Sequence, residues 1–340
     1  MSEQQDMHPR LAVLALVMQK IVIQSVWGLT RLGVADHLAD GPRTVEDLAR
    51  RTGADPDALA RTLACAAAYG VFTRRPDGRY ALSPMADHLR AGHPESVRDL
   101  VLMNGEEMMW RPYGQILHTL RTGEPAFDAA FGTSFFAYLD EHPDLAAVFQ
   151  GGMTDMTIRM AGLMVDRLDL SAHSRIADIG GGEGHLLAEI LGRHPNATGV
   201  LMERPTALEG AATLFKERAL GDRVTLVTGD FFAEVPAGCD AYVLKHVLHD
   251  WNDGDATRIL RRVREAIGDD RDARVYIVEH VLGPDRPRDL GTVLDVDMMV
   301  LCGGRERSAA QWRDLAEAGG FELVREPAPG QWSVVACRPR

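Results

Sequence analysis

Several kinds of sequence feature are scarce or absent in this chain. Its four cysteines (Cys65, Cys239, Cys302 and Cys337) are scattered over 340 residues without a C-x-x-C pair. This spacing supplies neither a disulfide framework nor a zinc site, and it is typical of reduced thiols in the cytosol. Lysine and arginine number 37 against 49 aspartates and glutamates, which gives a net charge of −12. That deficit of positive charge argues against general affinity for nucleic acid.

Long hydrophobic runs are also missing from the sequence. The apolar stretch Leu11–Met18 is short and is followed by Gln19 and Lys20, and it lacks the basic leader and cleavage site of a signal peptide. We interpret it as the start of an amphipathic helix, and we expect a cytoplasmic chain with no membrane partner. Internal repeats and low-complexity segments are absent, and the length is sufficient for two domains.

The first hundred residues carry signals for helices followed by a hairpin. Thr44 is predicted to cap a helix that ends at Gly53, and Asp55 is predicted to cap the next helix. A Pro-Asp-Gly turn then separates two short strands in the segment VFTRRPDGRYALSP. We therefore predict a helical, winged-helix domain over residues 1–100.

Winged helices often bind DNA, so the composition of the second helix is informative. Residues 56–69 contain Arg61 as their only basic residue, and much of the rest is alanine, leucine and cysteine. A helix that reads DNA needs several side chains that reach phosphates and base edges. We expect this helix to pack against protein, and we predict no nucleic-acid partner.

Residues 101–170 are predicted to form a helical connector rich in methionine and aromatic residues. Most of these side chains must belong to helix cores. A minority are expected to line a substrate pocket, because methionine and aromatic side chains suit flat apolar ligands. The candidates in this stretch are Trp110, Phe136, Met153 and Met156.

From residue 171 onward, strand and helix patterns alternate. Strands are predicted at 175–179, 198–202, 224–228, 240–245, 274–279, 321–326 and 332–338. Helices are predicted at about 184–193, 207–219 and 254–267. The alternation predicts an α/β domain over residues 171–340, with a doubly wound, mostly parallel sheet and ligands at the carboxyl ends of its strands. The last two strands, joined by a short loop containing PAPG, are predicted to pair antiparallel.

A glycine-rich loop follows the first predicted strand of this domain. Its glycines are Gly180, Gly181, Gly182 and Gly184. Such a loop lets a ligand approach bare backbone, and the helix that follows offers amides to an anionic group. His185 occupies the place of the third glycine of a dinucleotide fingerprint, and no Gly-Lys-Ser/Thr follows, so both a dinucleotide site and a P-loop are disfavoured. A tight turn without a ligand is the alternative.

Acidic residues at the next two strand ends outline a nucleoside site. Glu203 closes the second strand, where a carboxylate can accept hydrogen bonds from both hydroxyls of a ribose. Asp230 closes the third strand and precedes Phe231, and this pair suits the amine and the ring face of an adenine. A solvated acid at a strand end is the alternative for Glu203. No basic residue is placed to meet a pyrophosphate.

The segment DAYVLKHVLHDWND is rich in histidine and follows the fourth strand. His249, followed by Asp250, lies where ligands bind in this fold, with a structural histidine as the alternative. His246 and His249 are unlike a metal pair, because the sequence places no clear third ligand nearby. Glu279 and Glu306 lie downstream, and either could orient and polarise an imidazole.

With these motifs in place, the sequence resembles the S-adenosylmethionine-dependent O-methyltransferases of the caffeic-acid and bacterial polyketide type. The resemblance covers nearly the whole chain and rests on ordered motifs at matching spacing. The motifs are W-x-x-Y-G (Trp110–Gly114), D-I-G-G-G-E-G, G-D-F-F, L-K-H-V-L-H-D-W and G-G-R-E-R-S. The resemblance implies a Rossmann-like catalytic domain, a winged-helix dimerisation domain and a homodimer formed through the N-terminal helices.

The resemblance also implies a cofactor, S-adenosylmethionine, with S-adenosylhomocysteine as its product and no metal. The residues implied to bind the cofactor are Asp178, Gly180, Gly181, Gly182, Gly184, Glu203, Asp230, Phe231 and Lys245. The implied general base is His249, flanked by Glu279 and Glu306. The predicted substrate pocket is completed by Asp250, Met298 and Met299.

These observations predict methyl transfer to a phenolic hydroxyl of an aromatic small molecule in secondary metabolism, such as antibiotic biosynthesis. A phenol ionises near pH 10, whereas a histidine with an ordinary pKa of about 6.5 is neutral and available as a base at physiological pH. One alternative keeps the fold and the cofactor but hydroxylates or cyclises a polyketide. The other is a non-enzymatic winged-helix regulator that senses a ligand. Nitrogen stays open as the methylated atom.

Overall fold

The computed structural model describes residues 8–284 and 289–340. The chain divides into two compact units, Met1–Glu107 and Met108–Arg340. The helical connector beyond Glu107 belongs to the same unit as the sheet. The division into segments 1–100, 101–170 and 171–340 stays a prediction.

The first unit consists of helices and one hairpin. Its elements are α1 (Pro9–Arg31), α2 (Val34–His37), α3 (Val45–Thr52), α4 (Pro56–Ala68), β1 (Phe72–Arg74), β2 (Tyr80–Leu82), α5 (Pro84–Asp87) and α6 (Arg98–Gly105). Thr44 and Asp55 cap α3 and α4 with side chains that accept backbone hydrogen bonds, and Gly53 ends α3 with φ 70°. β1 and β2 pair antiparallel. The predicted helix-turn-helix and hairpin are therefore confirmed.

Helix α1 corrects one prediction. It spans 23 residues and, by length and composition, is apolar enough to cross a membrane, contrary to the expectation that no segment would be. Gln19 and Lys20 do not end the apolar stretch, because the helix continues through them to Arg31. A single such helix is weak support for a membrane segment, since helices of soluble proteins share these properties. Its exposed apolar side chains are Leu11, Val13, Leu14, Leu16, Val17, Met18, Ile21 and Ile23.

The second unit begins with the connector helices. They are α7 (Glu107–Trp110), which starts at the boundary, a 3-10 turn (Pro112–Gln115), α8 (Ile116–Thr122), α9 (Ala126–Phe131), α10 (Phe135–Glu141) and α11 (Pro143–Val165). The strands that follow are β3 (Arg175–Ile179), β4 (Thr198–Glu203), β5 (Val224–Thr228), β6 (Ala241–Lys245), β7 (Arg274–Leu282), β8 (Arg307–Ser308), β9 (Phe321–Leu323) and β10 (Gly330–Pro339). Between them lie α12 (His185–Arg193), α13 (Pro205–Glu217), α14 (Asp253–Ile267), α15 (Leu290–Leu301) and α16 (Ala309–Ala318), with 3-10 turns at Gly221–Arg223 and Leu248–Asp250.

In the described part of the second unit, the strands form one sheet in the order β5-β4-β3-β6-β7-β10-β9, with β8 beside β7. Strands β3 to β8 pair parallel, and β10 pairs antiparallel with both β7 and β9. Apolar side chains of α11, α12 and α13 cover one face, and those of α14 and α16 cover the other. This arrangement confirms the predicted doubly wound sheet and the antiparallel final pair.

The largest differences from the predicted strands, of three residues each, are at the ends of β7 and β9. β7 continues to Leu282, beyond the predicted end at Glu279, because β8 and β10 both pair with its last residues. β9 ends at Leu323, before the predicted residue 326. Glu279 therefore lies within a strand and not at its end.

The chain reverses its direction of progress across the sheet between β3 and β6. β4 and β5 lie on one side of β3, and β6 and β7 lie on the other. A reversal of this kind opens a crevice at the carboxyl ends of the two central strands. The glycine-rich loop follows β3 and the histidine-rich segment follows β6, so both predicted motifs meet at this crevice.

Candidate active site

The glycine loop packs tightly over the end of β3. A Cβ on Gly181 would lie 2.4 Å from Cγ of Asp178. Any residue other than glycine at position 181 would therefore displace the Asp178 carboxylate. Gly182 has φ 60°, and its amide donates to Oε2 of Glu203 at 2.9 Å. Gly180 and Gly184 also have positive φ, and α12 begins immediately after Gly184.

Asp178 is fully buried, and neither of its carboxylate oxygens accepts a hydrogen bond of normal geometry from the described residues. Burial raises the pKa of Asp178 to about 7, although the charge of Lys245 opposes the rise. A buried polar group without partners destabilises a fold unless a ligand supplies them. Asp178 is therefore a buried acid with unsatisfied oxygens beside the glycine loop.

Lys245 is the last residue of β6, within the histidine-rich segment, and it is buried. Its Nζ donates to Oγ1 of Thr157 at 2.9 Å, and Thr157 lies on α11. Burial lowers the pKa of Lys245, and the carboxylates of Asp178, Glu279 and Asp250 act in the opposite direction. The ammonium thus links the two predicted motifs electrostatically.

Helix α11 contributes a polar face that the sequence analysis missed. Thr154 donates to Oε2 of Glu183 at 3.2 Å, and a Cβ on Gly182 would meet Nε2 of Gln150 at 2.7 Å. With Thr157, these residues are spaced i, i+4 and i+7, which places them on one side of a helix. Three polar residues with this period in an apolar helix were the signal that could have revealed them.

The predicted ribose and adenine residues lie at the ends of β4 and β5. Glu203 accepts from the amides of Gly182 and Arg204, and each carboxylate oxygen keeps a free lone pair. Asp230 is exposed, and its Oδ1 accepts from the amide of Phe232 at 2.9 Å. Phe231 is half-buried beside it.

Aromatic rings form a wall next to Phe231. The ring of Trp251 makes edge contact with Phe231, with centroids 6.1 Å apart, and stacks on Phe136 at 5.6 Å. The guanidinium of Arg204 also lies over the ring of Phe136. Trp251 thereby brings together the predicted cofactor residue Phe231 and the predicted pocket residue Phe136.

His249 lies in the 3-10 turn after β6 and is almost fully buried. Its Nδ1 donates to Oε1 of Glu306 at 2.8 Å and lies 3.6 Å from Oε2 of Glu279. Its Nε2 lies 3.6 Å from Oδ1 of Asp250. Glu306 therefore holds the ring through Nδ1, with Glu279 close to the same nitrogen.

The surroundings of His249 change its acidity. Burial favours the neutral imidazole, but the charges of Glu279, Asp250 and Glu306 outweigh burial and raise the pKa of His249 to about 10. Burial raises the pKa of Glu279 to about 7, with His249 acting against it, and raises that of Asp250 to about 6. The expectation of an ordinary histidine pKa is therefore wrong for the ligand-free protein, because carboxylates surround the ring.

The motif G-G-R-E-R-S holds the turn that carries His249. The amide of Arg305 donates to the His249 carbonyl at 2.8 Å. The guanidinium of Arg307 is completely buried and donates to the carbonyls of Leu248 and Trp251, at 2.9 and 2.8 Å, and to Asp253. The motif thus supplies the Glu306 carboxylate and also fixes the backbone on both sides of His249.

Comparison with known proteins identifies this architecture. Residues 113–322 match the O-methyltransferase domain, and residues 19–91 match the O-methyltransferase dimerisation domain. The chain belongs to the O-methyltransferase family. It is a methyltransferase that depends on S-adenosylmethionine, which confirms the predicted enzyme class, and the match at residues 19–91 supports a homodimer.

Two known methyltransferases are each 40% identical to this chain. One is the phenazine O-methyltransferase PhzM of Lysobacter antibioticus, which aligns over 94% of this chain and 93% of its own length. The other is the 8-amino-8-demethylriboflavin N,N-dimethyltransferase of Streptomyces davaonensis, which aligns over 92% of this chain and 90% of its own length.

A solved O-methyltransferase structure agrees with the fold. NcsB1 from neocarzinostatin biosynthesis, in complex with S-adenosylmethionine and 2-hydroxy-5-methyl naphthoic acid, matches with a TM-score of 0.82. It is 34% identical, and the match covers 94% of this chain and 96% of that chain. Predicted fold class and cofactor are thereby supported together.

The remaining pocket residues predicted for this O-methyltransferase differ in how closely they approach the site. Asp250 lies beside His249, and Met298 on α15 accepts a hydrogen bond from the amide of Gly304 through its carbonyl. Met299 on α15, Trp110 on α7, and Met153 and Met156 on α11 are half-buried. Within the described ranges, no side-chain hydrogen bond or ring stacking joins these four residues to His249.

Asp297 was missed by the sequence analysis. Its Oδ1 accepts a hydrogen bond from the hydroxyl of Tyr113 at 2.5 Å, which ties α15 to the W-x-x-Y-G motif. Burial raises the pKa of Asp297, with Tyr113 and His249 acting against the rise. An acid preceding two methionines in an apolar helix was the only signal in the sequence.

Proposed function

We propose that the enzyme methylates an oxygen of an aromatic small molecule, with His249 as general base. The observation that carries the proposal is the fixed imidazole. Glu306 accepts a hydrogen bond from Nδ1 and Glu279 lies 3.6 Å from the same nitrogen, so the proposed proton transfer uses Nε2, at the crevice that also contains the glycine loop. Acid–base catalysis requires a ring held in one tautomer and orientation.

The proposed cofactor site consists of the glycine loop and the side chains around it. The unpartnered oxygens of Asp178 and the free lone pairs of Glu203 suit the donors of an aminoacyl nucleoside. Asp230 and Phe231 are proposed to hold the adenine, and Lys245 is proposed to lie near the methionine end. When bound, S-adenosylmethionine supplies a methyl group on a positively charged sulfur.

The raised pKa of His249 brings the strength of the proposed base close to that of a phenolate. A phenol ionises near pH 10, which is about the pKa that the carboxylates impose on His249. Transfer of the phenolic proton to a neutral Nε2 is then close to thermoneutral. The neutral ring forms when His249 first loses its own Nε2 proton to solvent, and the positive charge that S-adenosylmethionine would bring to the site would favour that loss.

Nitrogen is the second candidate for the methylated atom. It is favoured by the relationship to the riboflavin N,N-dimethyltransferase, which is as similar to this chain as the phenazine O-methyltransferase. An aromatic amine attacks through a lone pair before it loses a proton, so it depends less on a base. Oxygen is favoured by the base that the Glu279–His249–Glu306 cluster would provide.

We further propose that the enzyme uses no metal, that the dimer forms through its N-terminal helices, and that it is cytoplasmic. Exposed apolar side chains along α1 support the dimer interface, because a second copy would remove them from water. The acidic net charge supports the absence of a nucleic-acid partner. Hydroxylation or cyclisation of a polyketide by the same site is the alternative reaction.

The test is a panel of aromatic acceptors incubated with the enzyme and S-adenosylmethionine that carries a ¹³C methyl group. The panel pairs each phenol with the matching aniline and the matching methyl ether. We expect ¹³C-methylated products from phenols, with the NMR shift of a methoxy carbon. If only the anilines give labelled product, the methylated atom is nitrogen and not oxygen. Unlabelled products that have gained an oxygen atom or a ring would contradict methyl transfer.

A further inference from the structure

Two strained residues touch each other beside the proposed base. Among the described residues, three that are not glycine have positive φ: His246 (52°), Trp332 (55°) and Ala219 (55°). This conformation is rare for residues with large side chains and is found where the surroundings enforce it. The rings of His246 and Trp332 stack, with centroids 4.6 Å apart and planes 14° apart.

The left-handed conformation of His246 shapes the turn that carries His249. Val247 follows with φ −118° and ψ −51°, and such a left-handed to right-handed sequence points successive amides at one anion. The amides of Val247 and Leu248 both donate to Oε1 of Glu279, at 3.1 and 3.0 Å. The turn thereby holds Glu279 with its other oxygen 3.6 Å from Nδ1 of His249.

Trp332 reaches this turn because β10 contains a bulge. Ser333 pairs with Glu279 on β7, and the register shifts by one residue between Gly330 and Ser333. A bulge adds a residue to one strand and redirects a side chain. Here the redirected side chain is Trp332, and it stacks on His246 next to the strand position of Glu279.

Trp332 is held in place independently of His246. Nη1 of Arg167 donates to the carbonyls of Gln331 and Trp332, at 3.0 and 2.8 Å, and the hydroxyl of Ser333 donates to the Ala328 carbonyl at 2.7 Å. Burial lowers the pKa of His246 well below its usual value, so the stacked ring is neutral and adds no charge near His249. The stack therefore acts on the turn through packing.

We propose that His246 and Trp332 are positioning residues for the methyl-transfer site. Their stack holds the left-handed turn, the turn holds Glu279, and Glu279 stands against His249. The proposal rests on the proposed function for the role of His249 as base. The geometry that it predicts is measurable without any acceptor.

The experiment is an NMR titration of the full chain with isotope-labelled histidine and without cofactor. The His249 signal is assigned by its loss in His249→Gln. Trp332→Gly removes the stack, and Trp332→Phe keeps a ring that can stack. Ala219→Gly is the matched control. It also places glycine at a residue with positive φ, but in an exposed turn after α13. Melting temperatures are recorded for every variant.

In the native protein, Trp332→Phe and Ala219→Gly, we expect His249 to titrate at the same high pH. In Trp332→Gly we expect its pKa to fall by about one unit or more, because Glu279 moves away from the ring. A native His249 titration in folded Trp332→Gly would overturn the proposal. If that variant does not fold, Trp332→Leu is measured by the same criterion. A lowered pKa with unchanged methyl transfer would support the positioning and count against His249 as the base.

Discussion

A Cβ on Gly304 would lie 2.0 Å from the carbonyl oxygen of His249. The backbone of the loop that carries Glu306 therefore contacts the backbone of the turn that carries His249, with no room for a side chain at position 304. The amide of Arg305 donates to the same carbonyl oxygen. The distance between Glu306 and His249 depends on this close approach.

Gly304→Ala tests that approach. The added methyl must push the Glu306 loop away from His249, and misplacing a catalytic group by about 1 Å can cost roughly a hundredfold in rate. We expect kcat to fall by about ten- to a hundredfold, while the dissociation constant of S-adenosylhomocysteine, measured by calorimetry, stays close to native. Gly192→Ala is the control, because nothing lies within 4 Å of its added Cβ. Equal kcat in both variants would contradict the account.

The pH dependence of kcat/KM tests the raised pKa of His249. The proposed base works when deprotonated, and neighbouring carboxylates raise its pKa to about 10. At saturating cofactor, we expect kcat/KM for the acceptor to rise about tenfold per pH unit below that pKa. The plateau of kcat/KM is expected to begin below pH 10, because the positive charge of S-adenosylmethionine would lower the pKa of His249. A plateau beginning at about 6.5, the ordinary histidine value, would show that the carboxylates do not act on the ring.

Glu279→Gln tests the direction in which the charge of Glu279 shifts the pKa of His249. Removing one negative charge near the imidazolium makes the proton easier to lose, so the rising part of the profile should move to lower pH. An opposite charge at this distance shifts a pKa by about 1–3 units, and we expect a shift of at least about one unit. A profile that moves to higher pH, or does not move, would contradict the proposed electrostatics.

Thr157→Val tests the link between α11 and Lys245. The substitution removes the hydroxyl that accepts from the buried ammonium, and an unpartnered buried donor costs about 1–3 kcal/mol. We expect weaker binding of S-adenosylhomocysteine by calorimetry, because Lys245 and Asp178 lose their arrangement. Thr157→Ser keeps the hydroxyl and is expected to bind nearly as the native enzyme does. If Thr157→Val also binds normally, α11 does not organise the cofactor site.

Metal removal tests whether His249, Glu279 and Glu306 bind a metal ion that the reaction needs. His249, Glu279 and Glu306 each offer a ligand-type atom, and these atoms lie within 4.8 Å of one another. A metal bound to Nδ1 of His249 would have to replace the proton that Nδ1 donates to Glu306. We expect dialysis against EDTA to leave kcat unchanged and added Mg²⁺ or Zn²⁺ to have no stimulating effect. Loss of activity with EDTA and its recovery with one equivalent of metal would contradict this.

Much of this fold was predictable because its signals are local. Strands such as β3 and β6 are short apolar runs, and the N-caps at Thr44 and Asp55 are read from adjacent residues. The crevice follows from the order of strands and helices. The positions of residues at the carboxyl ends of parallel strands, such as Glu203, could therefore be predicted from the sequence alone.

Features that depend on distant parts of the chain were not predictable. Thr157 reaches Lys245, and Arg307 reaches the carbonyl of Leu248, only after folding brings their elements together. The pKa of His249 was misjudged for the same reason, because burial and the distant carboxylates of Glu279 and Glu306 act on it together with the adjacent Asp250. The stack of His246 on Trp332 depends on a bulge that the alternation of apolar residues does not reveal.

His249→Gln tests the central claim most directly. Glutamine keeps a polar side chain but cannot take the acceptor's proton, so we expect kcat to fall by about 10²- to 10⁴-fold. The dissociation constant of S-adenosylhomocysteine is expected to stay near the native value, and the control His194→Gln is expected to retain native turnover. A His249→Gln enzyme that keeps native kcat would contradict general-base catalysis by this residue.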